Sequence, residues 1–112
     1  MTVQAPRFTI FVLLKTLPAW LALPRPRRNE IAAAAFADAL RDGSVGIRHF
    51  DAEAFSALCT DVAVFDAGDL LAFYAVMERL RDSPFFTVPY FEVVAIVPAI
   101  EGGFRHFEAA AA

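Results

Sequence analysis

The sequence predicts a small α+β domain with the element order βαββαβ. Three observations carry that expectation: four strand-like runs set apart by turn residues, two helical stripes between them, and a first run that is apolar on both faces. Two split β-α-β units of this length close most simply into a four-stranded antiparallel sheet with both helices on one face, the ferredoxin-like arrangement. The expected strand order is 4-1-3-2, with the first strand in the centre.

Each element has its own justification. Residues 1–7 carry no periodic pattern and read as a loose leader. Phe8 to Thr16 (FTIFVLLKT) is β-branched and aromatic, with no polar face until Lys15, as a central strand requires. Leu17 to Arg28 holds Pro18, Pro24 and Pro26 and reads as an irregular connection, with Pro24 or Pro26 suited to the first turn of the next helix. That Ala-rich helix is expected from about Asn29 to Arg41, buried through Ile31, Ala35 and Ala39 and stopped near Gly43. Val45 to Asp51 reads as the second strand and Thr60 to Phe65 as the third, while Ala52 to Cys59 has no readable pattern. Asp66 is the expected cap of a helix from Gly68 to Arg81, with Leu70, Phe73, Met77 and Leu80 as its stripe and Ser83-Pro84 as its end. The last strand is expected from Tyr90 to Pro98. Gly102-Gly103 reads as a joint to a short tail, FRHFE, followed by a low-complexity end over residues 109–112. One domain, residues 8–108, accounts for the chain.

Composition narrows the class. The 112 residues are 58% hydrophobic and include twelve Phe, which excludes disorder for most of the chain and exceeds what a monomer this small can bury. The surplus predicts a homodimer. On the strand alternation, Phe11, Leu13, Val94 and Ile96 fall on the sheet face away from the helices, with Phe104 and Phe107 of the tail as anchors on the partner. The net charge is −3 and the only dense basic stretch is Arg25, Arg27 and Arg28, so no nucleic-acid partner is expected. The apolar stretch from Phe8 to Leu23 is broken by Lys15 and Pro18 and no small-residue cleavage site follows, so neither a membrane span nor a signal peptide is expected. A single cysteine, Cys59, excludes an intrachain disulfide and fits the reducing cytoplasm.

The strings VLLKTLPAWLALP, HFDAEAFSALCTDVAVFDAGDLLAFYAVMERLRDSPFF and PYFEVVAIVPAIEGGFRHFE resemble the darcynin family, small bacterial proteins of uncharacterised function. The resemblance runs from Phe8 to Glu108. It implies the dimeric α+β barrel class, in which two ferredoxin-like sheets pack face to face. It supplies no catalytic residues, and that fold hosts oxygenases, isomerases, haem proteins and plain binding modules alike.

The candidate site follows from antiparallel pairing, which sets the end of the first strand beside the starts of the third and fourth. One end of the open face is then expected to gather Lys15, Glu92, Asp61, His49, Asp51 and Tyr90, with Trp20 of the proline-rich connection beside it. A lysine among carboxylates suits a small anionic or polar ligand, and a carboxylate there suits a base. The same residues also read as a structural Lys–Glu pair at a sheet end. His49 and His106 lack any metal-ligand spacing, so no metal and no cofactor are expected. The expected function is a small-molecule-binding protein or cofactor-independent enzyme with its site at the Lys15/Glu92 end of the barrel. The alternative is a non-catalytic dimeric structural or interaction module.

Overall fold

The computed structural model describes residues 5–111, so most of the expected leader and Ala112 lie outside the described residues. The elements are β1 (Phe8–Thr16), α1 (Pro18–Leu21), α2 (Arg25–Ala39), β2 (Val45–Asp51), β3 (Asp61–Ala67), α3 (Leu70–Arg81), α4 (Pro84–Thr87), β4 (Phe91–Ala99) and α5 (Gly103–Ala111). The strands form one antiparallel sheet in the order β2-β3-β1-β4. This is the ferredoxin-like order expected, with the doubly apolar β1 inside.

The helix-facing side of the sheet makes the core. Ile10 and Val12 of β1 and Ala63, Phe65 and Ala67 of β3 are buried there, against Ile31, Ala35 and Ala39 of α2 and Phe73, Val76, Met77 and Leu80 of α3. α2 starts at Arg25 rather than near Asn29, because Pro24 holds the extended N-cap backbone and a proline occupies the first turn. Arg28 fastens the connection by donating to the carbonyls of Leu21 and Leu23, both at 3.0 Å. α3 is capped by Asp69, whose carboxylate accepts from Ala72 N–H at 2.8 Å. Asp66, the expected cap, stays in β3 and pairs with Arg7 at 2.9 Å. α2 leans mainly on α3 and α4. That stance leaves space between α2 and the sheet.

Two further differences shape the surface. The β1–β4 register shifts between Leu13 and Leu14, so Leu14 partners Val93 while Leu13 partners Ala95. A bulge of this kind switches face alternation beyond it. Ile96, expected on the open face, pairs with Val12 on the helix side, and Val97 takes the open face opposite Phe11. The C-terminus is a helix over 103–111 in place of the short tail, turned by Gly102 at φ +59°. Phe104 and Phe107, three residues apart, fall on neighbouring helix positions and are both exposed. Among the described residues α5 makes no substantial packing contact with another element, and the radius of gyration, 16.1 Å, exceeds the ~13 Å of a compact domain this long.

Candidate ligand-binding site

Strand parity decides which polar side chains meet. Asp61 pairs with Leu14, and both Asp51 with Asp61 and His49 with Ala63 are cross-strand partners. Leu14 and Ala63 point under the helices, so these three polar residues do as well. Lys15 pairs with Glu92 and points to the opposite face, where both side chains are exposed. The expected cluster is therefore two clusters. Lys15 and Glu92 share one end of the sheet as anticipated, but no ion pair joins them among the described residues. The parity follows from the unbroken β1–β3 register, Phe8 opposite Ala67 through Leu14 opposite Asp61, which sets Asp61 against Leu14 and not Lys15; just beyond it Thr60 N–H donates to Leu14 O at 2.9 Å.

On the helix side Asp61 is the hub, with its side chain only 12% exposed. Its Oδ1 lies 2.7 Å from His49 Nε2. Its Oδ2 accepts from the hydroxyls of Thr16 at 2.9 Å and Thr60 at 2.6 Å. Thr60 Oγ1 in turn accepts from Thr16 N–H at 2.7 Å. Both carboxylate oxygens are thus occupied, and the two hydroxyls also lie 2.9 Å from each other. When His49 donates from Nε2 to Asp61, a neutral ring keeps its lone pair on Nδ1. No described residue bonds that nitrogen.

This network stands at the mouth of a cavity of about 600 Å³ between α2 and the sheet. The floor is Val12, Leu14, Ala63 and Phe65; Trp20, Phe36, Phe85 and Phe91 make an aromatic wall. Trp20 anchors that wall, with ring centroids 5.0 Å from Phe91 and 5.7 Å from Phe85. Tyr90 stacks behind Trp20 at 5.2 Å and does not line the space. The start of α2 adds Arg25 and Asn29 to the same lining, and their side chains make no hydrogen bond or ion pair among the described residues. The arrangement can hold an apolar, partly aromatic body while a polar end meets an imidazole, a guanidinium and an amide.

Of the residues singled out in the sequence, His49, Asp61, Asp51 and Trp20 line the cavity, whereas Lys15, Glu92 and Tyr90 do not. Thr16, Thr60, Arg25 and Asn29 are additions from the structure. Thr16 shares the parity of Leu14, but a lone threonine at a strand end carries no signal without the register. His49 Nε2 and one oxygen each of Asp51 and Asp61 lie within 4.8 Å of one another, the only such donor group of three among the described residues. Its nitrogen and the Asp61 oxygen are already bonded to each other. No helix among the described residues is long and apolar enough to cross a membrane.

Comparison with known proteins places the chain. The profile described as "Darcynin, domain of unknown function" matches residues 1–111. Darcynin of Chromobacterium violaceum is 57% identical over 65 residues, 58% of this chain and 82% of that protein. Darcynin 1 of Acinetobacter baumannii is 44% identical over 89 residues, 79% of this chain and 99% of that one. Among solved structures, chlorite dismutase of Candidatus Nitrospira defluvii in complex with imidazole superposes with a TM-score of 0.72 at 10% identity, over 88% of this chain. The match spans only 41% of the dismutase chain. At that identity the likeness is one of fold. With the profile spanning nearly its whole length and relatives this similar, the chain belongs to the darcynin family.

Proposed function

We propose that this protein binds a small, partly aromatic molecule in the cavity between α2 and the sheet, and acts on it as an enzyme that needs no cofactor. The observation that supports the reading most is the pairing of a mostly apolar space of about 600 Å³ with one polar mouth, built on the His49–Asp61 contact of 2.7 Å. A few convergent polar groups in an apolar cleft are what orientation of a small ligand requires. The Lys15/Glu92 end, on the other face, is not part of this site. The free, buried Cys59 is consistent with the cytoplasm as its place of action.

A thermal-shift panel of small aromatic and aliphatic carbonyl compounds and carboxylates tests the reading. The expected result is stabilisation of the wild type by at least one compound. That shift should disappear in Ala63→Leu, which fills the floor from β3, and survive in Lys15→Ala. Loss of the shift in Lys15→Ala with retention in Ala63→Leu would move the site to the open face.

A second reading rests on a separate observation: the open face is left bare and α5 is left unpacked. Phe11, Phe50 and Val97 are more than a third exposed there, and Phe104 and Phe107 on α5 more so. We propose a two-fold homodimer in which the open faces meet and α5 reaches the partner, each chain supplying both the uncovered sheet and the apolar helix that covers it. This assembly serves a non-catalytic module equally well, and it leaves the helix-side cavity free.

A further inference from the structure

Resting on the cavity reading above, we infer that His49 is a general base, positioned by Asp61, that moves a proton on a carbonyl compound with an acidic C–H beside the carbonyl. The substrate class is an enolisable aromatic ketone or keto acid. The chain of contacts carries the assignment. Thr16 and Thr60 hydroxyls hold Asp61 Oδ2 at 2.9 and 2.6 Å, which fixes the carboxylate plane. Asp61 Oδ1 then holds His49 Nε2 at 2.7 Å, which fixes the ring and its tautomer. The lone pair is left on Nδ1, in a side chain that lines the cavity and is half exposed. No described residue uses that lone pair.

Two further residues of the cavity lining supply the complement. Arg25 and Asn29 line the same cavity and have no partner among the described residues, so both are available to a carbonyl oxygen that gains negative charge. The aromatic wall around Trp20 takes the apolar body.

The step balances within the substrate and His49. Nδ1 takes the proton from the carbon next to the carbonyl. The C–H electron pair becomes the carbon–carbon double bond, and the carbonyl π pair moves to oxygen, where Arg25 and Asn29 meet it. Return of the proton to oxygen gives the enol, and return to carbon restores the ketone. No electrons leave or enter, so neither oxidant nor reductant is required.

Phenylpyruvate is the probe: it has an aromatic ring, a carboxylate and an acidic benzylic C–H. Deuterium entry at that carbon is followed by proton NMR in deuterated buffer, against buffer alone. The expected result is wild-type exchange about 100-fold above buffer, within the ordinary range for a placed general base. His49→Gln should abolish the excess. Asp61→Asn should do the same with the fold retained, because an amide donor toward Nε2 moves the ring proton onto Nδ1 and removes the accepting lone pair. Both variants should still be stabilised by phenylpyruvate in the thermal-shift assay, which separates loss of the base from loss of the site. Binding without exchange above buffer, or exchange equal in wild type and variants, overturns the base assignment and leaves the cavity reading standing. No binding of phenylpyruvate when another panel compound binds overturns the substrate class. No binding by any panel compound overturns the cavity reading itself.

Discussion

Replacing Thr60 by Val removes one hydroxyl from the Asp61 network while keeping the shape and β-propensity of the side chain. The lost oxygen accepts Thr16 N–H at 2.7 Å and donates to Asp61 Oδ2 at 2.6 Å. A hydrogen bond to a charged group contributes ~1.5–3 kcal/mol and a neutral one ~0.5–1.5 kcal/mol, and the buried group left behind bears the penalty when its partner is removed. Thr60 is half-buried, so water reaches part of the gap and the lower half of each range applies. The sum is a loss of about 2–3 kcal/mol. Urea unfolding followed by Trp20 fluorescence measures it; with an m-value of ~1–3 kcal/mol/M the midpoint should fall by roughly 0.7–3 M. Thr60→Ser keeps the hydroxyl and should lose less than about 1 kcal/mol, chiefly the transfer free energy of one methyl. A loss below ~0.5 kcal/mol in Thr60→Val, or equal losses in the Val and Ser variants, would refute the network as the device that holds Asp61.

Three further outcomes are expected. Lys15 and Glu92 are exposed cross-strand partners, so a double-mutant cycle through Lys15→Met and Glu92→Gln should give a coupling of about 0–1 kcal/mol, and a coupling above ~2 kcal/mol would mean a desolvated pair. Light scattering at micromolar concentration should give twice the 12.3 kDa chain mass, and a mass near one chain for the folded wild type would end the homodimer. Deleting residues 103–112 should weaken the dimer, and Leu13→Glu on the open face should break it; a dimer unchanged in both would place the interface elsewhere.

Much of the fold could be read from residue order. The run FTIFVLLKT has no polar face before Lys15, which suits an inner strand with neighbours on both sides, and β1 is that strand. Register hid the site: the alternation of β1 puts Phe11, Leu13 and Lys15 on the open face, where they lie, but a shift of one residue in how β3 pairs with β1 sends Asp61 and His49 to the other side of the sheet. That register, Leu14 opposite Asp61, is a pairing between strands far apart in the chain that no local pattern announces. The bulge after Leu13 had the same effect on Ile96, since a skipped partner on β4 leaves no composition signal in a run as uniform as FEVVAIVP. The C-terminal helix was signalled: Phe104 and Phe107 stand at i and i+3 and the alanines that follow favour helix, whereas the alternation in FRHFE suggests an extended tail. The capping Asp69 also had a competitor three residues earlier, and the strand continuing through Ala67 decided between them.

The face of the sheet that meets a ligand decides between the helix-side cavity and the open face. Methyl-labelled NMR with phenylpyruvate as the titrant reads this directly, because each face carries its own methyl groups. The cavity account predicts shifts at Leu14, Ala63, Met77 and Leu80, which line the helix-side space, with Leu13, Val64 and Val97 of the open face unmoved. Shifts confined to Leu13, Val64 and Val97, or none with any compound of the panel at millimolar concentration, would contradict it.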